Sequence, residues 1–299
     1  MPALSSTSAP TLRAWSWGLV PALLVCLAAP AFFVARVPWL GWLFLAAGLA
    51  VALVVRRADA AAADPVDAGE PEAGADGIRR PDLVRDLSLI AVGLLIVSAI
   101  PLKAELDDIA IMRFTLVLGA AVAVPYVISR WVYRDHAVRF PWRGGGRWTA
   151  FQWGWLAAVL VLGWLILPFY FITSGVYMNW PVVDTPDLIL RLFLGVGGVG
   201  IWDELFFICT CFALLRRHFR FWQANVLQAV VFVSFLWELG YQAWGPVLTI
   251  PFALLMGYIF MRTRSLAYVV TVHLLFDAVV FLVLVHAHNP GMLDGLFLV

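Results

Sequence analysis

LILRLFLGVGGVGIWDELFFICTCFALLRR, from Leu188 to Arg217, is the stretch that decides the class of fold. Between Arg191 and Arg216 it is uncharged except for one adjacent pair of carboxylates, Asp203 and Glu204. A hydrocarbon core about 30 Å thick requires roughly 17–25 apolar residues of a helix, so this run is long enough to span a bilayer. It also carries two acidic groups where a charge costs about 2.5–3.5 kcal/mol, and by default such residues mark a functional site.

The same pattern recurs along the chain. Apolar runs lie near 14–35, 38–55, 87–102, 110–129, 149–172, 188–215, 222–240, 246–261 and 266–287. Hydrophobic residues make up 63% of the 299 and charged residues 13%, against roughly 25% charged in soluble domains. Too little polar surface remains for a water-soluble fold. A net charge of +1 gives no basic field for nucleic acid. Cys26, Cys209 and Cys211 all sit inside apolar runs without zinc or disulfide spacing and read as packing residues. The first apolar run lacks a small-residue cleavage site, so a cleavable leader is not expected.

Basic residues give the threading. With a cytoplasmic N-terminus, sixteen of the twenty fall on inside segments, including Arg56, Arg57, Arg130, Arg134, Arg216, Arg217, Arg262 and Arg264. Only Arg36, Lys103, Arg113 and Arg191 fall outside, a strong positive-inside alternation. The expectation is an all-α polytopic transmembrane helix bundle of about nine spans in the cell membrane, its N-terminus cytoplasmic. Its organisation reads as a two-helix segment over 1–55, a disordered loop over 56–86 rich in Ala, Asp, Glu, Gly and Pro, three helices over 87–172, and a bundle over 188–288.

Of nineteen acidic residues only Asp203, Glu204, Glu238 and Asp277 fall inside apolar runs, and His273 stands one turn before Asp277. At about 1.5 Å rise per residue, Glu204 lies some 18 Å from Arg216, and Asp277 some 20 Å from Arg264. On the same measure Glu238 lies some 24 Å from Trp222, so all three helices bring an ionisable group to mid-membrane depth. His273 and Asp277 share a helix face. Asp203 and Glu204 diverge by about 100° and can address two partners. A carboxylate removed from water can act as general base or acid near neutral pH, and an imidazole can orient water or stabilise an oxyanion. No cofactor is demanded. A divalent metal such as zinc would find donors in Glu204, His273 and Asp277. Gly195–Gly200 lacks the Lys-Ser/Thr of a phosphate loop and reads as close helix packing or a kink.

Asp203-Glu204-Leu205-Phe206-Phe207-Ile208, followed by Leu215-Arg216-Arg217, resembles the first motif, Glu-Glu-x-x-x-Arg, of the CPBP intramembrane proteases. That family joins the CAAX prenyl endopeptidases with bacteriocin-processing and abortive-infection proteins. His273-Leu274-Leu275-Phe276-Asp277 matches its third motif, His-x-x-x-Asn or Asp. The chain departs from the family at three positions: Asp203 stands for the first Glu, Ile208 for the motif Arg, and Leu236 for the histidine of Phe-x-x-x-His after Phe232. Glu238, two positions on, is the nearest ionisable group that could stand in for that histidine. The resemblance implies a helical membrane bundle with a conical cavity and an endopeptidase acting on a membrane-associated peptide or protein. In it Asp203 would activate water, Glu204 would support it, and His273 and Asp277 would complete the site. A non-catalytic binding member of the family and a proton- or cation-coupled transporter are the alternatives. The one-sided placement of the ionisable groups, without an inverted repeat, counts against the transporter.

Overall fold

A computed structural model describes residues 17–62, 81–144 and 146–299. Among these, nine helices follow one another: α1 Leu19–Val34, α2 Pro38–Ala62, α3 Leu83–Val97, α4 Asp108–Val132, α5 Ala150–Thr173, α6 Pro186–Arg216, α7 Phe221–Leu239, α8 Gly245–Thr263 and α9 Leu266–His288. Each expected apolar run has become a helix. By length and composition six of them, α2, α4, α5, α6, α8 and α9, can cross a membrane. The other three, α1, α3 and α7, fall short in length or apolarity, so six of the nine expected spans meet the length and composition a crossing needs among the described residues. Over the described residues the chain is all-helical, and it is a multi-pass membrane protein.

Polar residues start the helices where the sequence places them. Asp82, Asp107, Thr185 and Ser265 each accept a hydrogen bond from a first-turn backbone N–H of α3, α4, α6 and α9. Thr149 and Gln152 close a reciprocal capping box on α5. The expected loop 56–86 needs correction at both ends. α2 runs on through Arg56 and Arg57 to Ala62, because this stretch is rich in alanine, and α3 already begins at Leu83. The middle of that loop lies outside the described residues, as does Arg13.

Two helices form the interior. In the most apolar 18-residue window of α6, 72% of residues are buried, and in that of α9, 61%, against 22% in α2 and in α4. α9 packs between α5 and α6, α7 packs on α8, and α1 packs on α2 and α7. The residues that must position a site therefore sit on the two most enclosed helices.

α6 stays α-helical through its glycines. Its departure from regularity comes after Asp203, where residues Glu204–Phe212 widen into a π-helical segment. Thr210 Oγ1 donates to the Leu205 carbonyl five residues back. Such widening is frequent at functional positions.

The two ends of the bundle differ in charge as the sequence led us to expect. At the arginine-rich end, Arg217 reaches Asp86 Oδ1 at 2.7 Å and Asp135 Oδ2 at 3.2 Å, and His218 Nε2 lies 2.6 Å from Asp86 Oδ2. This knot joins three segments assigned to one side by the arginine alternation. At the other end, Arg191 binds Asp108, Asp187 and the Leu106 carbonyl, and Arg113 pairs with Glu105.

Candidate active site

α6 and α9 bring Asp203, Glu204, His273 and Asp277 together around one imidazole ring. His273 Nδ1 lies 2.7 Å from Glu204 Oε1. When Glu204 is ionised it can only accept, so the Nδ1–H donates to it and the contact fixes the ring's orientation. The other nitrogen, Nε2, faces Asp203 Oδ2 at 3.6 Å and Asp277 Oδ1 at 3.8 Å. The adjacent acidic residues thus address opposite edges of the same ring. Asp203 ends the regular part of α6, and Glu204 opens its widened part.

The ring is itself held by aromatics. Phe252 of α8 meets it edge-on at 5.0 Å between centroids, and Phe232 of α7 lies at 6.1 Å. Beneath Asp203, Trp202 stacks on Phe206 and donates its indole N–H to the Leu118 carbonyl at 2.7 Å, which ties α6 to α4. Gly200 makes the α6–α9 approach possible. A Cβ at that position would overlap Asp277 Oδ2. Gly200→Ala should therefore cost about 1–3 kcal/mol of stability as overpacking and push Asp277 away from the ring. Unfolding of the purified chain in detergent checks the first effect, and turnover checks the second.

Asp203, His273 and Asp277 line a cavity of about 500 Å³, with Trp202 and Leu205 beside them. Its walls are mostly apolar and come from α4 and α6, and Glu105 and Arg191 stand at its charged end. Thr115 and Gly119 of α4 and Leu194, Gly195 and Gly198 of α6 are exposed and line it, so the cavity opens sideways between the two helices. Glu204 does not line it and is fully buried. Three side-chain oxygens have no protein partner: Asp203 Oδ1, Glu204 Oε2 and Asp277 Oδ2.

Glu238 does not join this group. It is the penultimate residue of α7, so it stands at the helix end rather than at mid-depth. There its carboxylate is bonded by the Leu102 backbone and lies near Arg36, both in loops at the arginine-poor end. Leu236, which stands four residues after Phe232, lines the cavity. Ile208, at the position of the motif arginine, is completely buried in the apolar core. Among the described residues no three His, Cys, Asp or Glu side chains are arranged to hold a metal ion, and no step below passes through one.

Two further lining residues escape a sequence reading. Trp180 presents a buried, unpartnered indole N–H, and Tyr241 packs on it at 90° and on Phe171. Both border the cavity from short connecting segments. Asn179 holds the Gly240 carbonyl at 3.0 Å, and Tyr170 holds that of Gln242 at 2.7 Å, which fixes the α7–α8 turn over the site. The only sequence signal here was an aromatic next to a span end, and an interfacial belt explains that equally well.

Comparison with known proteins bears on this half of the molecule. No curated protein and no solved structure matches the chain. Residues 185–279 match the family model described as type II CAAX prenyl endopeptidase Rce1-like. The match begins at the cap of α6 and ends just past Asp277, so it takes in all four side chains around the imidazole. By this match and the motifs inside it, residues 185–279 are similar to the type II CAAX prenyl endopeptidase Rce1-like family.

Proposed function

We propose that this protein is an intramembrane endopeptidase that hydrolyses a peptide bond of a membrane-associated peptide or protein, with its catalytic groups in the cell membrane. The observation that carries the reading is the convergence of Asp203, Glu204 and Asp277 on His273 at the floor of an apolar cavity. Carboxylate and imidazole groups at that separation can take a proton from water and return it to a leaving amine. The apolar walls suit a substrate segment that comes from the bilayer through the α4–α6 opening.

The test uses the full chain in phospholipid vesicles with a quenched fluorescent peptide anchored by an alkyl chain. Two fragments with one new carboxyl terminus, identified by mass spectrometry, are the expected products. Gly198→Leu should reduce turnover at least about tenfold with little loss of stability. A Cβ at that position meets no other atom within 4 Å, so the larger side chain would project into the opening. Unchanged turnover in this variant would remove the α4–α6 route.

One observation favours a second reading, a family member that binds without cleaving. Leu236 replaces the second-motif histidine at a cavity-lining position. Retention of the anchored peptide without fragments would favour this reading over the first.

A further inference from the structure

Helices α4 and α6 part over the cavity and meet at its two ends, and the two meetings differ in kind. At the inner end Trp202 Nε1 donates to the Leu118 carbonyl at 2.7 Å, and both residues are 6% exposed. Just below, a Cβ on Gly93 of α3 would overlap the Phe206 ring of α6 and lie 3.3 Å from the Ala121 carbonyl of α4, so the three helices close up there. At the outer end Arg191 Nη1 lies 2.5 Å from Asp108 Oδ1 and 3.1 Å from the Leu106 carbonyl. Asp108 is the first residue of α4, and its side chain is 86% exposed. About 16 Å of helix separates Arg191 from Trp202. Within it a Cβ on Gly195 or Gly198 would meet no atom within 4 Å, and the same holds for Gly119 of α4.

The neighbouring ion pairs each stay on one side of the gap. Asp187 holds Arg191 Nε at 2.8 Å from one turn earlier on α6, and Glu105, in the loop before α4, holds Arg113 of α4 at 3.0 Å. When Asp108 and Leu106 release Nη1, Arg191 therefore keeps Asp187 and its charge is not stranded. An exposed ion pair is a weak contact that salt screens. A hydrogen bond in apolar surroundings is costly to leave unmade, because neither group finds water. The outer meeting is the one that yields. We propose that Asp108 and Arg191 form the latch of a lateral gate, in which the outer half of α4 swings away from α6 about the Trp202–Leu118 bond and admits the substrate segment. The proposal rests on the endopeptidase reading for what enters, and deepens it: the latch limits the width of the segment that reaches Asp203 and His273. The hinge residue adjoins Asp203, so the swing leaves the floor of the site in place.

Spin labels on Met112→Cys of α4 and Leu190→Cys of α6 report the gate in the full chain, in phospholipid vesicles and without substrate. Both positions are exposed, and Cys26, Cys209 and Cys211 are completely buried, so only the introduced thiols react. Double electron–electron resonance should give one short distance at low salt. Asp108→Asn should add a population of longer distances, and so should about 1 M salt, where the screening length is about 3 Å. Asp187→Asn, which leaves the crossing bond, should not. Distances that ignore both salt and Asp108→Asn, or that respond equally to Asp187→Asn, overturn the latch whatever the protein cleaves. Turnover gives the second arm. Asp108→Asn should favour an anchored peptide with tryptophan beside the scissile bond over one with alanine by about two- to fivefold in kcat/KM, the population change a surface ion pair can supply. An equal effect on the two peptides removes the width limit. Joining Asp108→Cys to Arg191→Cys with a reducible bifunctional thiol cross-linker should stop cleavage of both peptides, and reductant should restore it. Cleavage undiminished by the cross-link overturns the latch. A gate that responds as expected, with no fragments from the unmodified chain, sinks the endopeptidase reading and leaves the latch standing.

Discussion

His273→Ala is expected to lower kcat/KM for a vesicle-anchored peptide by about 10²–10⁴-fold. The imidazole is the one group that touches all three carboxylates: it bonds Glu204 and lies within 3.8 Å of Asp203 and Asp277. Its removal leaves Glu204 with no partner in a fully buried position, and the two aspartates lose the cation or donor between them. An unpaired buried polar group costs about 1–3 kcal/mol, so the variant should also unfold earlier in detergent. The size of the two effects separates chemistry from folding. A variant that inserts, binds the peptide and purifies normally yet shows near-normal turnover would end any hydrolytic role for this ring.

Arg217→Met is expected to give the largest loss of stability, about 3–5 kcal/mol, because it leaves buried charges without their partner. Asp86 and Asp135 are buried, with side chains 2% and 1% exposed, and the same guanidinium serves both. Asp135 is also held by Ser129 Oγ at 2.9 Å, and Asp86 keeps His218 at 2.6 Å. Neither of those groups replaces the lost arginine charge between the two carboxylates. Thermal unfolding in detergent measures the loss. The triple variant Arg217→Met, Asp86→Asn, Asp135→Asn should recover much of it, since the uncompensated charges go with it. If the single variant is as stable as the unmodified chain, the knot contributes nothing and the three segments are held by apolar packing alone.

The sequence made some of this legible with good reason. Whether a run of residues can be a membrane helix depends on its own length and apolarity, so all nine helices were visible without any knowledge of their neighbours. Arg56, Arg216 and Arg217 were likewise sorted to one end by the arginine alternation, and there Arg56 pairs with Asp82 while Arg217 joins Asp86 and Asp135. His273 and Asp277 share a face because of helical period, and burying any ionisable group in an apolar run is costly enough to single out Asp203 and Glu204.

Glu238 shows where that reasoning stops. Its distance along the helix was estimated from Trp222, but depth depends on where α7 begins and ends relative to its neighbours, and α7 stops one residue later. The α4–α6 opening was invisible for a related reason. Lipid chains are as apolar as leucine, so a lipid-facing wall, a packed core and a cavity lining share one composition. Gly198 and Gly200 are two residues apart in the same run, yet one faces open space and the other an aspartate. Local chemistry fixed which residues would be costly to bury. Only the crossing of α6 with α9 determined that they surround one ring, because that pairing depends on side chains sixty-nine positions apart.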